Sequence, residues 1–515
     1  MKRLPIAKTE IKEIAEGNYC YADKTRFIKE LVDDGHNYYF LSRPRRFGKS
    51  LFVDTLRAAF SGEKEYFKDL YLENNWDWNV KHPVIKISFG KVGIKSGDEL
   101  TTALKNLILL QARKHDLTLP GDFPFELFYN LIVALSEKYD QSIVILIDEY
   151  DKPILDNLTS ENVSEIRDVL SSFYSVLKDA SPYLRFVFLT GVSRFSKTSI
   201  FSKLNNITDI SLVAKYADIC GITQPELETV FSDYLHDVDL ETVKLWYDGY
   251  NFRGSNLYNP YDVLMFLWEK RYKPYWFLTG TPTFLLELIR EKSFLLPNLE
   301  ELSVYETQLE EFDIDNIDIE VLLFQAGYLT IKNEDMVGMR YLYELGIPNM
   351  EVRIGLTDYL LRMFYASAVS SNFRTAVSEK IYLSIINNRP RELEQTFKSF
   401  FESIPHDWYR KNDIAHYEGF FSSMFYAFFA AQGFQIVAED VTKTGSIDLS
   451  ILTQTAVFIF EFKMRTSSGN ALQQIKEKEY YKKYLSENKE IFLIGIEFDE
   501  EIKNISGFEC EKLTV

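Results

Sequence analysis

Short apolar runs rich in β-branched and aromatic residues alternate with helix-spaced segments over roughly the first 210 residues. The runs are Tyr38–Leu41, Val84–Ser88, Ile143–Ile147 and Phe186–Leu189. Such short apolar runs alternating with helical segments predict a parallel sheet with helices on both faces. From about 215 to 400 the pattern turns mostly helical, punctuated by turn clusters such as Gly249-Tyr250-Asn251 and Gly280-Thr281-Pro282. A short strand pair is predicted near Gly327–Ile331 and Tyr341–Leu345. The last 110 or so residues read helix, strand, strand, helix, strand. Their apolar stretch Phe420–Ala431 falls short of the ~20 residues that span a bilayer, so it predicts a buried helix. The chain carries no fixed-period repeat and no long flexible linker.

Chemistry enters at the end of the first run. Arg43-Pro44-Arg45-Arg46-Phe47-Gly48-Lys49-Ser50 follows the strand Tyr38–Leu41 and precedes a helical pattern. Strand, loop, Gly-Lys-Ser, helix is the setting of a phosphate-binding loop. Backbone N–H groups and the helix N-terminus would cradle phosphates. Gly48 would admit close approach, Lys49 would neutralise phosphate oxygens, and Ser50 would hold Mg²⁺. Arg43 stands where a glycine is usual, and Pro44 removes one donor. Taken alone, the segment also reads as a basic surface turn. The run Ile143–Ile147 then ends in Asp148-Glu149-Tyr150-Asp151, two adjacent carboxylates at the carboxyl end of a buried strand, where ligands of open α/β sheets sit. Asp148 would complete the Mg²⁺ shell and Glu149 would orient the attacking water. Phe186–Leu189 ends in Thr190-Gly191-Val192-Ser193-Arg194. Either Thr190 or Ser193 would sense the γ-phosphate and Arg194 would stabilise transition-state charge. An ordinary turn with a surface arginine fits that segment equally well.

A second constellation lies near the C-terminus. Gly445-Ser446-Ile447-Asp448 opens one apolar strand, and Val457–Phe460 leads into Glu461-Phe462-Lys463 on the next. Residues i and i+2 of a strand share a face, so Glu461 and Lys463 do. A carboxylate and an ammonium in a buried strand must be paired or hold a metal. Asp448 completes a carboxylate pair suited to Mg²⁺ or Mn²⁺, which would activate water beside a phosphodiester, with Lys463 placed to orient it. Glu418, on the preceding helical pattern, and Gln474, on the following one, are further catalytic candidates. The plainer alternative is a meander with a structural Glu–Lys pair.

Composition narrows the partners. The 515 residues carry a net charge of −18, so a nucleic acid would have to meet a local basic site rather than a basic coat. Lys476, Lys478, Lys482 and Lys483 form one basic run, either a solvated face or a phosphate track. Three widely spaced cysteines form no disulfide framework and, with no leader or membrane segment, predict a soluble cytoplasmic protein.

These residues resemble a known family, the bacterial and archaeal AAA-ATPase-like proteins with a C-terminal PD-(D/E)XK nuclease domain. The resemblance rests on Tyr21-Ala22-Asp23-Lys24-Thr25, Arg43–Ser50, Ile147–Pro153, Trp246–Phe252, Leu278–Pro282, Gly327-Tyr328-Leu329, Pro348–Val352, Asp448 and Glu461-Phe462-Lys463. It implies an AAA-like P-loop ATPase domain (1–212), a helical lid with a small mixed or winged subdomain (213–400) and a restriction-endonuclease-like domain (401–515). It implies nucleotide at Lys49, Ser50 and Asp148, with Glu149 catalytic; Arg45, Arg46, Phe47 and Gly48 of the same loop, and Ser193, are the further expected ATP contacts. It implies Mg²⁺ at Ser50 and Asp148, and Mg²⁺ or Mn²⁺ at Asp448 and Glu461, with Lys463 catalytic. Ser446 departs from the family's frequent Arg. The expected activity is ATP hydrolysis controlling metal-dependent cleavage of DNA or RNA. The alternative is a nucleotide-gated switch whose C-terminal domain only binds a partner. A ring assembly follows from analogy with related ATPases alone.

Overall fold

The structure, a computed structural model, describes residues 1–90, 93–194, 206–280, 299, 302–310, 318–364, 371–403, 418–465 and 470–513. The chain divides into two compact units, Met1–Leu285 with Ser303–Asn349, and Leu286–Leu302 with Met350–Val515.

The first unit is built on five parallel strands, β1 (Tyr38–Ser42), β2 (Val84–Ser88), β3 (Ile143–Asp148), β4 (Leu184–Gly191) and β5 (Thr208–Asp209), in the order β2-β3-β4-β1-β5. β1 and β3 are buried at every position, as unbroken apolar runs between helical layers should be. Helices Lys49–Phe60, Gly97–Lys114, Pro124–Tyr139 and Val163–Asp179 flank the sheet. The last buries Ile166, Leu170, Phe173, Tyr174 and Leu177 along one stripe, with Phe173 stacked on Phe128 at 4.6 Å. The rest of the unit is largely helical, with a short antiparallel pair, β6 (Ile222–Thr223) and β7 (Leu257–Tyr258). It also holds a three-stranded sheet of β8 (Leu302–Tyr305), β9 (Thr330–Val337) and β10 (Arg340–Gly346). β9 starts later than the sequence pattern predicts, because Gly327 closes the helix Ile319–Ala326 in left-handed backbone, φ 92°.

The second unit carries a five-stranded sheet, β11 (Gln435–Thr442), β12 (Gly445–Leu452), β13 (Ala456–Met464), β14 (Glu490–Asp499) and β15 (Asn504–Lys512), in that order. Only β13 and β14 pair in parallel. The helix Glu418–Ala431 lies in an aromatic core, where Phe421 stacks on Phe498 at 4.1 Å and Phe425 on Phe397 at 3.7 Å. Ile475 of the helix Ala471–Glu477 packs with Val457, Ile459 and Leu493 in a second cluster. Two strands, β11 and β15, are additional to the sequence expectation. Both lie at the edges of the sheet, and both mix exposed with buried positions.

Candidate functional site

The loop between β1 and the helix Lys49–Phe60 is shaped by Arg46 and Gly48, both left-handed, φ 65° and 95°. Gly48 occupies the N-cap without a side-chain hydrogen bond, so the first amides of the helix have no cap and its positive end is open. That end borders a cavity of 420 Å³ lined by Arg45, Arg46, Phe47, Gly48, Lys49 and Ser50. Burial pulls the Lys49 ammonium below its usual range, while the nearby Asp148, Asp151 and Glu149 push it back up. Its Nζ donates to the carbonyls of Arg43 and Pro44, both at 2.8 Å. Arg46 lies over the Tyr261 ring at 4.5 Å, and Arg45 faces Asp156 at 4.0 Å.

Because β4 lies between β1 and β3, the carboxyl ends of all three strands come level, with Ser42 opposite Gly191 and Thr190 opposite Asp148. Asp148 is buried, and Glu149 follows in left-handed backbone, φ 54°. Among the described residues Asp148 Oδ1 and Glu149 Oε2 are buried and take no hydrogen bond. Such oxygens are costly without a cation or a donor. Gly90 makes room for Glu149, since a Cβ there would lie 2.7 Å from Oε2. Glu149 faces the cavity together with Asp151. The set could hold a nucleoside triphosphate, with Ser50 and Asp148 the residues that would hold its Mg²⁺.

The sensor candidates separate. The Thr190 hydroxyl donates to Leu41 O at 2.8 Å. Ser193 donates its amide to Asp151 Oδ2 at 2.5 Å, while its buried Oγ takes no hydrogen bond among the described residues. Arg194 is not among the residues lining the cavity. Its guanidinium ion-pairs with Asp209 at the end of β5, and its amide donates to Gln325 Oε1 at 2.9 Å.

In the second unit, β12 and β13 pair as far as Leu449 opposite Phe460 and then part. One step beyond, Asp448 Oδ2 accepts the Phe462 amide at 2.7 Å, so a side chain takes over from the ladder where the strands fork. Continuing the register by one residue puts Asp448 across from Glu461. Glu461 is 3% exposed, and Gln474 Nε2 donates to its Oε1. The helix Ala471–Glu477 comes this close because Gly495, opposite Glu461 on β14, has no side chain: a Cβ there would lie 2.3 Å from the Leu472 amide. Lys463 is half-buried two residues along from Glu461. Glu418 opens the helix Glu418–Ala431, but its side chain lies outside the described residues. The pair could hold a divalent cation.

The model described as Predicted AAA-ATPase matches residues 5–201, and that of the PD-(D/E)XK nuclease superfamily matches 416–507. A protein of Azotobacter chroococcum mcd 1, described as "Uncharacterized protein in vnfD 5'region", is 41% identical over 516 residues, spanning 99% of each chain. The chain belongs to this family of AAA-ATPase-like proteins with a C-terminal PD-(D/E)XK domain.

Three residues of these sites are given no role in the sequence reading. Asp151 accepts the amides of Val192 and Ser193 and is pushed up to about 6 by burial. Arg43 looks from sequence like a lost glycine, yet it is 1% exposed. Tyr480, hidden in the basic run, is buried beside Gln474, Glu461 and Asp448, with burial and then Glu461 raising its phenol. Three of the run's four lysines form ion pairs: Lys476 with Glu511 at 2.5 Å, Lys482 with Glu479 at 2.6 Å and Lys483 with the buried Asp440. No described helix is long and apolar enough to cross a membrane.

Proposed function

We propose that the chain binds and hydrolyses ATP at the 43–50 loop and cleaves DNA or RNA at Asp448, Glu461 and Lys463, with nucleotide state controlling cleavage. The observation that carries this reading is the pair of buried carboxylate oxygens on Asp148 and Glu149, without hydrogen bonds, beside a cradle that ends in an uncapped helix. In this reading Lys49 exchanges the Arg43 and Pro44 carbonyls for phosphate oxygens. The Ser50 hydroxyl and Asp148 hold Mg²⁺, and Glu149 orients a water and takes its proton. Ser193 senses the γ-phosphate. Arg194 acts on transition-state charge only after leaving Asp209. Mg²⁺ or Mn²⁺, when bound, offsets phosphate charge and acidifies water at each site.

At the fork of β12 and β13, Asp448 and Glu461 would hold the cation through their carboxylates. Gln474 fixes the Glu461 rotamer, and Lys463 orients the attacking water or steadies the pentacovalent charge. Lys49→Ala is expected to abolish ATP turnover. Asp448→Asn and Lys463→Ala are expected to abolish Mn²⁺-dependent cleavage of single- and double-stranded DNA and RNA while leaving turnover intact. Wild-type protein that cleaves none of these substrates with either metal would remove the nuclease half.

A C-terminal domain that binds without cleaving is the second reading. It is favoured by Ser446, whose hydroxyl donates to Glu439 at 3.2 Å in place of a phosphate-facing arginine. Nucleic-acid binding that survives Glu461→Gln, together with no cleavage by wild type, would select it.

A further inference from the structure

The cost of Arg43 is the unusual feature of the phosphate loop. Its guanidinium is buried, yet among the described residues no carboxylate pairs with it. It donates instead to four main-chain carbonyls: Ser42 at 2.9 Å, Ser211 at 2.8 Å, and Tyr216 and Ala217 at 3.1 Å each. Its Cζ lies over the Phe252 ring, 4.0 Å from the ring centre. A desolvated cation is tolerated only where fixed dipoles replace its water, and the planar fork is what allows one side chain to bind carbonyls of separate segments. The same residue's own carbonyl, with that of Pro44, receives Lys49. The loop is gripped at other points from the same side. Trp276 Nε1 donates to Arg45 O at 3.1 Å, and Phe47 meets Tyr250 edge-on at 5.2 Å. A Cβ on Gly327 would lie 2.7 Å from Pro44. The 246–252 motif, Trp276 and Gly327 thus converge on one loop.

We infer that Arg43 is a positioning residue that holds the phosphate loop from behind, against the 211–217 turn and Phe252, so that nucleotide entry moves Lys49 and leaves the loop in place. This rests on the reading of the 43–50 loop as the ATP site. A glycine at this position would leave the Arg43 and Pro44 carbonyls free to wander, and the cradle would have to be rebuilt on each binding event.

The test compares wild type, Arg43→Gly, Arg43→Lys and Phe252→Leu for ATP affinity, steady-state hydrolysis and melting temperature. Arg43→Gly is expected to raise Kd and KM for ATP on the order of 10- to 100-fold, with kcat within about threefold, because the loss is of preorganisation. Arg43→Lys should stay impaired, since an ammonium cannot fill four carbonyls across two segments. Millimolar methylguanidinium should restore affinity to Arg43→Gly and not to Phe252→Leu, which is expected to show a smaller KM rise. If Arg43→Gly does not fold, Arg43→Lys and Phe252→Leu carry the test. Lower melting temperatures with unchanged KM in the folded variants would overturn the inference, leaving Arg43 a structural residue. Wild type that binds no ATP would overturn the site reading as well.

Discussion

Asp151 shows how a single carboxyl can join two strands at a price in stability. It sits just past β3, is 1% exposed, and holds the Val192 and Ser193 amides at the end of β4. Gly191 cannot be larger, since a Cβ would lie 2.5 Å from Asp151 Oδ1. Burial lifts the carboxyl from its ordinary 3.8 to about 6. A carboxyl whose folded pKa lies above its unfolded one binds its proton first in the native chain. It therefore takes stability away as pH climbs through that interval, and the loss is complete above about 6. In Asp151→Asn the amide oxygen still accepts both N–H groups and no charge is buried. The stability of Asp151→Asn relative to wild type is expected to rise by about 1–2 kcal/mol between pH 5 and pH 7.5 in nucleotide-free protein. Denaturant melts at the two pH values would show it, and an unchanged difference would contradict the assigned cause. At the same scale, Glu149→Gln should keep ATP binding while lowering turnover on the order of 100-fold, because the carboxylate acts only on the water. Equal losses of affinity and turnover would argue for a metal-holding role instead.

The fork between β12 and β13 places the C-terminal residues more than any one of them does. Asp448 is both an acceptor for the Phe462 amide and a candidate metal ligand, and the two roles separate by substitution. Asp448→Asn keeps the acceptor, so it should melt near wild type. Asp448→Ala leaves the amide without it and should be less stable by about 1–3 kcal/mol, and so melt lower. Both should lose metal-dependent cleavage, and matching melts would show that the hydrogen bond does not shape the fork. Gly495→Ala tests the helix above it. The 2.3 Å approach to Leu472 must open, drawing Gln474 from Glu461, at a cost of about 1–3 kcal/mol.

Two strands of the first sheet were legible from their apolar runs: Ile143–Ile147 differs only by including Asp148, and Val84–Ser88 matches its prediction although Lys86 interrupts it. β11 and β15 were not, because an edge strand with one wet side gives a broken pattern that a loop shares. Glu461 and Gln474 are brought together through a glycine on β14 that no motif marks. Asp151, Arg43 and Tyr480 stayed hidden for a common reason. Each acquires its character from burial beside other segments of the chain, which its own motif does not show.

At the scale of the molecule, the two units each gather carboxylates where a sheet ends or forks, and the family's two domains fall one in each. The alternation of strands and helices foretold the first sheet, and the acidic surface charge argued against a general nucleic-acid coat. The ion pairs along the 476–483 run agree with that restraint, since they leave little free positive charge there. The most direct test counts bound cations. Mn²⁺ titrated into the whole chain with a non-hydrolysable ATP analogue, and followed by electron paramagnetic resonance, should load two sites in wild type. It should load one in Lys49→Ala, where the nucleotide is lost, and one in an Asp448→Asn, Glu461→Gln double variant. Wild type that takes up no Mn²⁺ at either the 148–149 or the 448–461 carboxylates would contradict the account.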